Sequence, residues 1–184
     1  MPRLTICSDA NPGQPVWDSV DPSLISAKLG AAGVRFETWT ASAEIARDAG
    51  DAAVLSAYAG DIDRLQREGG YRSVDVLRVL PDHPQLAELR RKFLQEHIHA
   101  EDEVRFFVEG SGMFYLHIEK HVYMTLCTRG TLIAVPRHVR HWFDLGSSPC
   151  ITAIRLFTTA EGWVAQYTGS DIAEQFPKFE REAA

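Results

Sequence analysis

Residues 97–110 read HIHAEDEVRFFVEG, and with them the β-like part of the chain begins. His97 and His99 stand two apart, so on an extended strand both imidazoles leave from one face. Glu103 keeps that parity if the backbone stays extended, and Ala100, Glu101 and Asp102 can equally form a turn that swings it inward. From here to Phe157 the chain consists of short β-like runs broken by Gly, Pro or Ser roughly every 8 to 12 residues, the pattern of an antiparallel sandwich or barrel. Strands are expected over 104–109, 113–118, 122–127, 131–135, 141–145 and 151–158. Gly110, Ser111 and Gly112 are expected to form a hairpin turn between the first two. His141 can join the His97–His99 pair only if its own strand lies beside theirs, which a barrel allows.

Upstream the texture is mixed. Residues 3–7 read as a short edge strand. Asp21 and Pro22 read as an N-cap followed by proline at the first helical position, with the helix ending near Gly33. Residues 35–40 alternate as a strand, 42–59 and 61–68 have helical spacing, and Gly69–Gly70 breaks the pattern. Residues 71–80 read as a strand and 84–93 as a helix with Leu86, Leu89 and Phe93 on one stripe. A final helix is expected over 171–184, interrupted at Pro177. The fold expected is mainly β, an antiparallel barrel core over about 71–158 with additional α-helices, inside a single domain of residues 1–184.

Composition narrows the function classes. The chain has 184 residues, 45% of them hydrophobic and 24% charged, as in ordinary soluble domains. A formal net charge of -6 argues against a nucleic-acid partner, since such affinity rests on clustered Lys and Arg. No run approaches the roughly 20 apolar residues of a membrane span, and the first residues lack the apolar core of a signal peptide. Cys7, Cys127 and Cys150 suggest neither a disulfide framework nor a zinc knuckle, so a reducing cytoplasm fits. A monomer is compatible with all of this.

The proposed ligands are His97, His99, Glu103 and His141. Three neutral imidazoles and one carboxylate suit iron(II), nickel(II) or zinc(II) rather than magnesium or calcium. A structural zinc site has a closed tetrahedral shell, whereas six coordination would leave two positions for chemistry, which favours iron or nickel. His83, His117, His121 and His138 are read as ordinary core or surface histidines.

Written out, His97-x-His99-x3-Glu103-x6-Gly110 resembles the first cupin motif, and Gly130-x5-Pro136-x4-His141 the second, with a jelly-roll barrel implied. The departures are Arg91 before the first histidine, His138 where the second motif usually has Gly, and Leu145 where it usually has Asn. Within cupins, EHIHAEDEVRFFVEGSGMFYL, VPRHVRHWFDLG and EGWVAQY resemble bacterial acireductone dioxygenases. The resemblance implies an enzyme of methionine salvage that uses O2 to cleave 1,2-dihydroxy-3-keto-5-methylthiopentene, with one Fe(2+) or Ni(2+) per chain. The iron form would yield 4-methylthio-2-oxobutanoate and formate, and the nickel form 3-methylthiopropanoate, formate and CO.

With such a substrate in view, Arg105, in strand parity with Glu103, becomes the candidate catalytic residue: its fixed charge can stabilise the substrate dianion, or else form an exposed salt bridge. Glu96 and Asp102 have the opposite parity. They can orient imidazole N–H groups or simply be solvated, and the resemblance implies metal incorporation for Glu96 and a conformational relay for Asp102. Phe93, Phe143 and Trp163 can line a pocket for the methylthioalkyl tail or pack in the core, while Trp142 is assigned to structure. The alternatives are another metal-dependent cupin oxygenase or isomerase, or a non-catalytic cupin sensor.

Overall fold

The computed structural model describes residues 1–180. In chain order the elements are β1 (Arg3–Ser8), β2 (Asn11–Ser19), α1 (Pro22–Ala31), β3 (Arg35–Thr38), α2 (Asp51–Ala57), α3 (Ala59–Gly69), β4 (Ser73–Val79) and α4 (Leu86–Phe93). There follow β5 (His97–Ile98), β6 (Glu103–Ile118), β7 (His121–Thr128), β8 (Thr131–Val135), β9 (Arg140–Asp144), β10 (Ile151–Phe157), β11 (Gln166–Tyr167) and α5 (Ile172–Gln175). The strands form two antiparallel walls. One runs β11-β5-β9-β6-β7-β1-β2, and the other runs β4-β10-β6-β8-β3. This is a cupin-type β-barrel, mainly β, closed around a core that includes Phe107, Phe114, Leu116, Ile133 and Phe143.

The two walls share β6, and that corrects the expected hairpin. Residues 103–106 pair with β8 and 104–110 with β10, while 111–118 pair with β7 and 113–117 with β9. The strand bends without reversing at Gly110, whose φ is 73°. A Cβ there would lie 1.5 Å from the Cys150 carbonyl oxygen, so the bend needs glycine for both its dihedral and its clearance. A Gly-rich tripeptide supplies a bend or a reversal equally well. Strands far away in sequence decide which.

β1 is not an edge strand, because it lies between β7 and β2. The edge is β2, whose Pro12, Gly13 and Pro15 hide it from pattern reading and are tolerated where backbone N–H groups face outward. Residues 42–50 are not helical, so the expected 42–59 helix is reduced to Asp51–Ala57, with Ala59 opening α3. The carbonyls of Ala46 and Ala49 accept from Arg78, and those of Ala41 and Ala43 from Arg129, which satisfies this backbone without a helix.

The capping reading of α1 agrees with the structure: Asp21 accepts from the Ser23 and Leu24 backbone N–H groups, with Pro22 next. Leu86, Leu89 and Phe93 pack α4 against the core as one stripe. Within the described part of the expected 171–184 helix, Ile172–Gln175 is helical, ending at an extended Phe176 before Pro177 as proline requires of its predecessor. Residues 181–184 of that expectation lie outside the described residues. Among the described residues no helix is long and apolar enough to cross a membrane.

Candidate metal centre

β5 and β9 bring the histidines together. His97 faces His141 directly across the antiparallel pair, so both side chains leave from the same side of the sheet, and His99 follows from the end of β5. The ring centroids lie 4.4 Å apart for His97–His141, 5.1 Å for His97–His99 and 5.3 Å for His99–His141. One ring nitrogen from each falls within 4.8 Å of the others. Glu103, at the start of β6, adds its Oε2 at 3.5 Å from His99 Nε2 and 3.3 Å from His141 Nε2. All four residues are buried.

The second nitrogen of each ring fixes the tautomer. Nδ1 of His97 faces the Gln95 carbonyl at 2.7 Å, Nδ1 of His141 the Val139 carbonyl at 2.8 Å, and Nδ1 of His99 the Val164 carbonyl at 3.1 Å. A carbonyl only accepts, so each Nδ1 carries the proton and each Nε2 a lone pair directed inward. Burial and the neighbouring His141 push His97 down to about 4, which keeps its ring neutral at ordinary pH. Nε2 of His141 is buried and makes no hydrogen bond of good geometry. Three converging lone pairs and one carboxylate are a donor set that fits a borderline divalent ion.

Arg105 lies deeper than a surface salt bridge would. It is buried, donates from Nη2 to Glu103 Oε1, and its guanidinium lies over Phe143 at 4.4 Å and Phe114 at 4.7 Å. Burial alone would raise the Glu103 carboxyl, but the Arg105 charge opposes it, and Glu103 is held well below the usual range. Nε and Nη1 of Arg105 are buried without a protein partner. Unmade buried donors are costly, so an arginine held this way invites an oxygen-rich ligand.

The cluster opens into a cavity of about 500 Å³, which Phe93, Phe143 and Trp163 line together with Leu77, Leu89 and Phe157. Phe93 meets Phe143 edge to face at 6.2 Å, and Trp163 is half exposed at the mouth. Arg155 also lines the cavity, bound in bidentate fashion to Asp75 at 2.8 and 2.7 Å. It was missed in the sequence, where the available signal was a lone charge inside the apolar run ITAIRLF.

Glu96 and Asp102 do not touch the three rings; backbone carbonyls do the orienting considered for them. Strand parity turns Glu96 away from the cluster, where it is buried with Oε1 at 2.6 Å from His117 Nδ1 and Oε2 accepting from Thr168. Asp102 is exposed and accepts from the Arg137 backbone N–H at 2.8 Å. Trp142 is structural as read, stacked on Tyr115 at 5.0 Å on the outer face of β9.

With three inward imidazoles, one carboxylate and a buried arginine in its interior, the cupin barrel has the donor set of a metal-binding cupin. The model of the ARD/ARD' family matches residues 3–165, and the chain belongs to that family. An acireductone dioxygenase of Synechococcus sp. is 54% identical over 96% of this chain and 98% of its own length. One from Parvibaculum lavamentivorans is 52% identical over 99% of each. Among solved structures, an acireductone dioxygenase from Bacillus anthracis with a cadmium ion in its active center superposes with a TM-score of 0.79 at 30% identity, covering 91% of this chain and 98% of that one.

Proposed function

We propose that the chain is an acireductone dioxygenase of methionine salvage, which uses O2 to cleave 1,2-dihydroxy-3-keto-5-methylthiopentene. His97, His99, Glu103 and His141 would hold one Fe(2+) or Ni(2+). When bound, that ion supplies Lewis acidity that favours the anionic form of an enediol and brings it together with oxygen. The observation that carries the reading is the pair of unpartnered donors on Arg105, buried beside the three lone pairs.

Each residue then has a task that its surroundings support. Nε–H and Nη1–H of Arg105 donate to the enediolate oxygens, and the fixed charge lowers the cost of removing the substrate's second proton. The rings of Phe114 and Phe143 packed against it and Glu103 on Nη2 hold the guanidinium in one orientation. Leu77, Leu89 and Phe93 offer an apolar wall to the methylthioalkyl tail and keep water from the reacting carbons. A cavity of about 500 Å³ suits a ligand of this size.

The test is product analysis on matched, metal-quantified preparations. The iron(II) form should release 4-methylthio-2-oxobutanoate and formate, and the nickel(II) form 3-methylthiopropanoate, formate and CO. No acireductone consumption by either form would overturn the reading. Identical products from both would overturn its metal-controlled part.

A further inference from the structure

The outer wall of the cavity is a strap, residues 158–168, that carries Trp163, Val164 and Tyr167 to the mouth. Almost nothing apolar holds it down, since Gly162 is its only buried residue. Hydrogen bonds hold it instead, including the short β11–β5 ladder that sets Gln166 opposite Ile98 and Tyr167 opposite His97. At one end the Glu101 carboxylate accepts from the Thr158 and Thr159 backbone N–H groups, each at 2.9 Å, from Thr159 Oγ1 at 2.7 Å and from Thr158 Oγ1. At the other end Thr168 donates from its backbone N–H to the Glu96 carbonyl at 3.1 Å and from Oγ1 to Glu96 Oε2 at 2.6 Å, while His117 fixes the other oxygen of Glu96. The packing at Glu101 is close: a Cβ on Gly162 would lie 2.6 Å from Glu101 Oε2.

Both anchors flank the His97–His99 pair in sequence, and the strap in turn supplies the Val164 carbonyl that accepts from His99 Nδ1. We infer that Glu101 and Glu96 are positioning residues that pin the strap at its two ends, closing the substrate cavity and holding the His99 ring as one device. Glu101 carries the larger share, because it takes four hydrogen bonds from a segment with little burial of its own. Such a segment opens locally at low cost once its hydrogen bonds are lost. The substrate part of this inference rests on the proposed function; the pinning does not.

The test is hydrogen–deuterium exchange on the metal-loaded full chain, with KM and kcat for the acireductone measured alongside. In Glu101→Ala, exchange in 158–168 should rise about tenfold or more, with β6 and β10 at wild-type rates, and KM should rise about tenfold with a smaller change in kcat. Glu101→Gln, which can still accept at one oxygen, should fall between. Thr159→Val should loosen the same segment from the strap side. Wild-type exchange of the strap in Glu101→Ala, or a rise spread equally over the barrel, would overturn the pinning. Faster strap exchange with unchanged KM would overturn its role in closing the cavity. If the chain does not consume the acireductone at all, the exchange result still decides the pinning, so the two readings fail separately.

Discussion

Arg105 donates to Glu103 through Nη2 while its Nε and Nη1 remain buried and unpartnered. One residue thus braces a proposed metal ligand and keeps two further nitrogens buried beside it. Arg105→Ala should keep much of its metal but lose about 2 to 4 kcal/mol of transition-state stabilisation, comparable to removing one preorganised electrostatic contact. Lys should restore only part, because it keeps charge without the planar fork. Turnover by metal-quantified, folded protein checks this, and wild-type kcat in Arg105→Ala would make the residue peripheral.

His138 sits at φ 65°, at the position where the second cupin motif usually has glycine. Its side chain is exposed and its backbone N–H donates to the His99 carbonyl at 3.0 Å. The conformation costs a non-glycine residue about 1 kcal/mol, and the side chain returns little. His138→Gly should therefore raise stability by up to about 1 kcal/mol, after the greater chain entropy of glycine in the unfolded state is subtracted. Urea denaturation measures it, and a clear loss of stability would show that the imidazole makes a contact of value.

The pinned, neutral His97 has a consequence for stability in acid. With its pKa pushed down to about 4 from 6.5, the folded chain refuses a proton that the unfolded chain accepts between these values. Stability of the metal-free protein should therefore fall as pH drops through that window, by up to about 3 kcal/mol from this group. Above about pH 7.5 neither state binds the proton and the group contributes no slope. Urea titrations from pH 7.5 to 4.5 should give a shallower decline for His97→Gln than for wild type. Parallel declines would contradict the account.

The H-x-H pair was legible because its spacing is a local fact of strand parity; Glu103 enters from the start of β6 after the non-strand stretch 99–102, the turn alternative, and Arg105 shares its face by parity along β6. The jelly-roll strands were legible for the same reason. What local pattern could not carry was partner choice. Gly110 reads as a turn until Cys150 is known to pass beside it, and β2, punctuated by Pro12 and Pro15, reads as a loop until β1 is seen to pair with it. Glu101 looked like a turn residue because the strap it anchors lies more than fifty residues downstream. Arg155 was hidden by the opposite effect, an apolar strand in which one charge drew no notice.

His97, His99, Glu103 and His141 are proposed to form one metal site that acts on an acireductone with oxygen. The most direct measurement is acireductone-dependent oxygen uptake by metal-quantified wild type beside His141→Ala, with circular dichroism to establish folding. Wild type should consume oxygen in proportion to the acireductone added, and His141→Ala should remain folded yet lose both most of its metal and its uptake. Full metal content and undiminished uptake in His141→Ala, or no uptake by fully loaded wild type, would contradict the account.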